Sequence, residues 1–141
     1  MRLYLESSAL LARWLEQVSA VEIAALLKGA EQYIASGLTQ VECDRAFIRA
    51  EALASLAPAR AEALRQAAAI TWEKSHILRF DIGVVERARR PFPVEPIRTL
   101  DALHAAFYER ARSLFPGAVM LSLDERVRRV ARAMGGEVLP D

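Results

Sequence analysis

Short apolar runs alternate with longer helical runs along the whole chain, and this alternation restricts the fold more than any other feature. Leu3-Tyr4-Leu5 is an apolar strand closed by Glu6, and Ser7-Ser8 then offers a cap for a helix through Leu15. A second helix over about 21–30 precedes a strand at Gln32-Tyr33-Ile34-Ala35, which Ser36-Gly37 breaks. Thr39 opens a long helix to about Ser55, and Pro58 begins another reaching Ile70 or Thr71, so the two are expected to pair as a hairpin. His76 to Phe80 reads as a third strand, with a short helix over 84–89 that Pro91, Pro93 and Pro96 prevent from continuing. Thr99 caps a helix to about Leu114, residues 118–123 form an apolar strand, Asp124 starts the last helix, and Glu137-Val138-Leu139 closes the chain. Such alternation specifies an α/β fold: a parallel sheet with helices on both faces.

The chain has 141 residues, 53% hydrophobic and 26% charged, which suits one folded domain spanning 1–141. Nineteen basic and eighteen acidic residues leave a net charge of +1, so no global field points to nucleic acid or membrane, and any polyanion site has to be local. Cys43 is the only cysteine, which excludes an intrachain disulfide and a cysteine-rich metal centre and fits a small packing residue. Glu6 and Arg13 interrupt the first apolar run, and no stretch is long enough to cross a bilayer, so a cytoplasmic protein is expected.

Ligands of open parallel sheets bind beyond the carboxyl ends of the strands, so acids placed just after apolar strands are candidate site residues. Four fit: Glu6 after the first strand, Glu42 in the helix after the second, Asp101 in the first turn of its helix, and Asp124 after Leu121-Ser122-Leu123. Converging carboxylates repel one another unless a hard cation such as Mg²⁺ or Mn²⁺ neutralises them. Capping offers three of them a second explanation. Thr39-Gln40-Val41-Glu42 has the capping-box pattern, Asp101 suits the positive end of its helix, and Asp124 suits an N-cap. Glu6 has no such role in prospect.

In order, these segments resemble the PIN-domain family over nearly the whole chain. Leu3-Tyr4-Leu5-Glu6-Ser7-Ser8-Ala9-Leu10 is similar to the family's opening strand, which carries an aspartate where this chain has Glu6. Leu38-Thr39-Gln40-Val41-Glu42, then Arg98 to Ala106 with its Asp101-Ala102-Leu103-His104 core, then Leu121-Ser122-Leu123-Asp124 with Gly135-Gly136 beyond, resemble the rest. The resemblance implies a three-layer α/β/α domain with a central parallel sheet. It also implies that Glu6, Glu42, Asp101 and Asp124 hold Mg²⁺ or Mn²⁺ for cleavage of single-stranded RNA, with Ser8 beside them. The compact form is most similar to VapC-type toxins, which implies a homodimer and a cognate antitoxin partner.

Other expectations concern the rim. His104, one turn after Asp101, can orient that carboxylate or touch substrate, and Arg98, beside the same helix start, is the best candidate for a phosphate contact. Arg87, Arg89, Arg90, Arg126, Arg128, Arg129 and Arg132 also offer local phosphate contacts, but most are read as a solvated, ion-paired face. Apolar faces at Leu10-Leu11-Trp14 or Ile23-Leu26-Leu27 are expected to receive an antitoxin segment. The longer side chain at Glu6 motivates an alternative, a PIN-like RNA-binding or protein-interaction module with impaired catalysis. A haloacid-dehalogenase-like phosphatase is disfavoured, because Glu6-Ser7-Ser8 lacks the nucleophilic aspartate.

Overall fold

A computed structural model of residues 1–141 shows five strands in one all-parallel sheet, ordered β3-β2-β1-β4-β5. The strands are β1 (Arg2–Leu5), β2 (Gln32–Ser36), β3 (Ser75–Leu78), β4 (Val119–Leu121) and β5 (Val138–Leu139). The helices are α1 (Ser7–Trp14), α2 (Ala20–Gly29), α3 (Gly37–Ala52), α4 (Pro58–Glu73), α5 (Ile82–Ala88), α6 (Thr99–Leu114) and α7 (Glu125–Ala133). No helix is long and apolar enough to cross a membrane.

Period-two alternation along the central strand builds the three layers. Leu3 and Leu5 join Ala35, Val119 and Leu121 under α1 to α4, where Trp14, Ile23, Phe47 and Leu64 complete a core. Tyr4 faces the other way with Ile34, Met120 and Val138, beneath α5 to α7, where Val84, Phe107 and Val130 pack. A strand buried on both faces needs apolar residues throughout, and Leu3, Tyr4 and Leu5 are fully buried. Cys43 is buried in the first core, as its packing role requires.

Leu10, Trp14 and Ile23 are buried within the chain itself, so of the two faces expected to receive an antitoxin segment only Leu11, Leu26 and Leu27 stay part-exposed. The third strand ends at Leu78, before Phe80, because Asp81 turns the chain by accepting from Val84 N at 2.9 Å and capping α5. The expected N-cap at Thr39 is also corrected: Ser36 caps α3, its hydroxyl accepting from Thr39 N at 3.1 Å. That helix starts at Gly37, where an added Cβ would meet the Phe80 ring at 3.2 Å, so the residue that ends the strand also permits a close approach. Glu42 therefore lies beyond the first turn and is freed from the capping role.

The sheet order reverses at β1: β2 lies on one side and β4 on the other, each paired parallel to it. Glu6 and the Ser122-to-Asp124 segment leave the carboxyl ends of these adjacent strands, at the crevice where ligands of such sheets bind.

Candidate active site

All seven residues singled out from sequence line one pocket of about 530 Å³: Glu6, Ser8, Glu42, Arg98, Asp101, His104 and Asp124. Four elements deliver the acids. Glu6 follows β1, Glu42 projects from α3, Asp101 from the first turn of α6, and Asp124 is the N-cap of α7.

In Asp101 and Asp124 capping and site formation coexist, divided between the two oxygens of each carboxylate. Asp124 accepts from Arg126 N at 2.9 Å and Val127 N at 3.3 Å through Oδ1, and Oδ2 has no protein partner. Asp101 accepts from Arg98 N at 3.4 Å through Oδ2, leaving Oδ1 without one. Glu42 engages Oε1 with Ser7 Oγ at 3.0 Å and His104 Nε2 at 2.6 Å, leaving Oε2. Three carboxylates thus keep a spare oxygen in one pocket.

Glu6 is held more completely, and its expected lack of a capping role is corrected: it is the N-cap of α1, accepting from Ser8 N at 3.1 Å. The same oxygen, Oε2, accepts from Ser122 Oγ at 2.8 Å and from Ser8 Oγ. Only Ser7 Oγ, at 2.7 Å, reaches Oε1. Oε2 is full and Oε1 keeps acceptor capacity. Ser8 Oγ also accepts from Leu123 N at 2.8 Å and Asp124 N at 3.1 Å, tying the ends of β1 and β4 together. This network holds the longer glutamate side chain bent back over its own helix start.

Glu6, Glu42 and His104 offer ligand atoms within 4.8 Å of one another. His104 is 2% exposed. Burial alone would lower its pKa, but the hydrogen bond to Glu42 and the charges of Glu6, Glu42 and Asp124 outweigh that and raise it above the usual histidine value. Its expected partner was Asp101 on its own helix; the observed one is Glu42, across the pocket.

The donor chemistry fits a hard divalent cation. Carboxylates predominate among the lining residues; Glu6 and Glu42 bring ligand atoms together with His104, while Asp101 and Asp124 line the same pocket outside that group.

Two site residues, Ser7 and Ser122, were not legible in the sequence, whereas Arg126 was among the arginines read there as possible phosphate contacts. Ser7 bridges Glu6 and Glu42, and Ser122 is fully buried with its hydroxyl on Glu6; a lone serine in the apolar run 118–123 was the available signal. Arg126 lines the pocket beside Arg98, and neither guanidinium has a carboxylate within ion-pair distance. Arg128, in contrast, is buried and donates to the carbonyls of Ser122 and Pro140, both at 2.6 Å, so it serves the fold. Arg87 and Arg89 pair with Glu109 and Glu86, as the solvated-face reading expects.

Over 135 residues, covering 94% of this chain and 91% of the relative, the sequence is 32% identical to Ribonuclease VapC35 of Mycobacterium tuberculosis, in two strains. The chain belongs to the VapC family. No family model matches the chain. Among solved structures, it resembles a chain of FitAB bound to an IR36 DNA fragment, with a TM-score of 0.70 at 17% identity, covering 97% of this chain and 93% of that one. It also resembles a chain of VapBC2 from Rickettsia felis bound to a promoter DNA fragment, with a TM-score of 0.58 at 13% identity, covering 99% and 98%. These likenesses bear on the fold, which is the three-layer α/β/α arrangement expected of a PIN-like VapC domain.

Proposed function

We propose that this VapC-family chain is a divalent-metal-dependent endoribonuclease acting on single-stranded RNA, the toxin of a toxin–antitoxin pair. The observation that carries the reading is the pocket at the β1–β4 crevice, where four acids converge and three retain a carboxylate oxygen without a protein partner. The relative named Ribonuclease VapC35 supports the same class of activity.

Glu6, Glu42, Asp101 and Asp124 would hold Mg²⁺ or Mn²⁺, which would supply Lewis-acid polarisation of the phosphodiester and a lowered pKa for attacking water. The chain's own residues do the rest. Glu6, fixed by Ser7, Ser8 and Ser122, keeps Oε1 toward the cluster with Glu42. Ser8 acts on substrate only indirectly, because its hydroxyl is committed to Glu6 and to two backbone amides. Arg98 and Arg126, free of carboxylate partners, contact the phosphates flanking the cleaved bond. A cognate antitoxin restrains the enzyme, and a homodimer is the working state, as the VapBC2 assembly suggests for the antitoxin.

A second reading is favoured by one observation. Glu6 Oε2 is saturated by three donors, as suits a structural cap in a pocket that binds RNA without cutting it. Cleavage of single-stranded RNA in Mn²⁺ by native protein and Asp101→Asn separates the two. Metal-dependent cleavage lost in the variant supports the enzyme. Binding without cleavage supports the module, and equal cleavage by both proteins rejects the catalytic assignment. Light scattering at micromolar concentration tests the dimer, which a strictly monomeric species excludes.

A further inference from the structure

His104 poses a question that the acidic pocket leaves open. It lies in α6 one turn beyond Asp101 and is almost wholly buried, and its Nε2 sits 2.6 Å from Glu42 Oε1 and 3.7 Å from Glu6 Oε1. By distance alone it belongs to a ligand cluster with those two carboxylates. Its other nitrogen, Nδ1, is buried with no hydrogen-bond partner.

We infer that His104 is a positioning residue, not a metal ligand: its Nε2–H holds Glu42 Oε1 and thereby presents Oε2 to the pocket. The inference rests on the metal-dependent reading above and names one residue's part in it.

Two observations carry it. An ionised carboxylate only accepts, so the 2.6 Å contact places the proton on Nε2. A cation on Nε2 would instead require a bare Nε2 and a hydrogen on Nδ1. Histidine ligands almost always donate that second N–H to a fixed partner, and no protein group here receives it. With Nε2 as the donor, Glu42 orients the ring and no partner on Nδ1 is needed for that. Ser7 Oγ reaches the same Glu42 oxygen at 3.0 Å, so Oε1 is restrained from two elements while Oε2 stays free. Glu42 itself is partly exposed on a long flexible side chain, which without these donors would sample several rotamers.

The test uses Mn²⁺ as the probe on native protein, His104→Gln and His104→Ala. Glutamine's Nε2 can replace the imidazole donor; because its Oε1 is itself an oxygen ligand, the nitrogen spectrum of native protein decides whether His104 coordinates. Manganese titration followed by electron paramagnetic resonance is expected to show His104→Gln within a few-fold of native, while His104→Ala loses about 10- to 100-fold in affinity, as loss of an outer-shell partner does. Electron spin-echo modulation of the bound Mn²⁺ is expected to show no directly coordinated imidazole nitrogen in native protein. Without metal, a long-range proton–nitrogen spectrum should show hydrogen on Nε2. Melting temperatures report whether either variant fails to fold, and the two measurements on native protein decide the matter in that event. A coordinated nitrogen in the native spectrum, a bare Nε2, or equal losses in both variants would overturn the inference. Native protein that binds no Mn²⁺ would remove the metal reading and the inference together, a result distinct from any difference between variants.

Discussion

Ser122 Oγ donates to Glu6 Oε2 at 2.8 Å, joining residues 116 positions apart at the ends of adjacent strands. The pocket around Glu6 is therefore built to glutamate's length, since this hydroxyl, that of Ser8 and the Ser8 amide all meet one oxygen. Shortening the side chain by a methylene withdraws the carboxylate from these donors. Glu6→Asp is expected to lower cleavage of single-stranded RNA, and to cost stability of roughly 1–3 kcal/mol for the buried hydroxyls left without their acceptor. Activity that rises in Glu6→Asp would show a pocket still shaped for aspartate.

Metal should stabilise the native state alone. At 100 times the dissociation constant, Mn²⁺ is expected to add about 2.7 kcal/mol, seen as a rise in melting temperature. The gain builds on a metal-free site already eased, because His104 and Ser7 each place a donor beside Glu6 and Glu42. Asp101→Asn should abolish the metal-dependent rise. It should change metal-free stability by less than about 1 kcal/mol, because its only hydrogen bond, to Arg98 N, is long at 3.4 Å. A metal-free variant that unfolds would mark Asp101 as a structural cap.

Strand and helix identity was legible in the sequence because burial on both faces forces continuous apolar runs such as Leu3-Tyr4-Leu5, while the Ala- and Arg-rich stretches between them could only be helices. That Glu6, Glu42, Asp101 and Asp124 line one pocket was legible as a pattern of acids after strands. What stayed hidden was long-range or competitive. The hydroxyl of Ser122 meets Glu6 only once β4 pairs with β1, and no local signal encodes that pairing. Thr39-x-x-Glu42 imitated a capping box, yet Ser36 won the cap because its hydroxyl could also bond Thr39 Oγ1, at 3.2 Å. Glu42 was left to pair with His104, 62 positions away.

Acid should destabilise the fold partly through Asp81. The Val84 amide and the Arg110 guanidinium, at 2.8 Å from Oδ2, hold its carboxyl below the usual aspartate value. The folded state therefore binds a proton less readily than the unfolded chain. Stability from this group is present above the ordinary value of 3.8 and is lost as pH falls through the lowered folded value. Asp81→Asn keeps a capping side chain and removes the charge. Urea midpoints of native and variant should differ at pH 6 and converge toward pH 2.5; a gap independent of pH would show that the ionisation contributes nothing.

Arg98 and Arg126 are expected to set the affinity for RNA without setting its sequence preference. Both line the acidic pocket, and Arg98 also borders the neighbouring cavity formed by α5, the proline loop and α6. Neither is paired with a carboxylate, so both can neutralise phosphate without first breaking an ion pair, whereas Arg65 is already held by Glu51 and serves as a control. A single-stranded chain releases about 0.7 counterions for each phosphate neutralised, so each contact adds that much to the slope of log K against log salt. In an Asp101→Asn background that prevents cleavage, Arg98→Gln and Arg126→Gln should each weaken binding alike for oligonucleotides of different sequence and make the slope shallower by about 0.7. Arg65→Gln should leave both unchanged. The assay is fluorescence anisotropy at several salt concentrations, so that slope and affinity come from one data set. Unchanged slopes in the Arg98 and Arg126 variants would place the strand elsewhere on the surface, and a loss confined to one sequence would assign these arginines to base contacts instead.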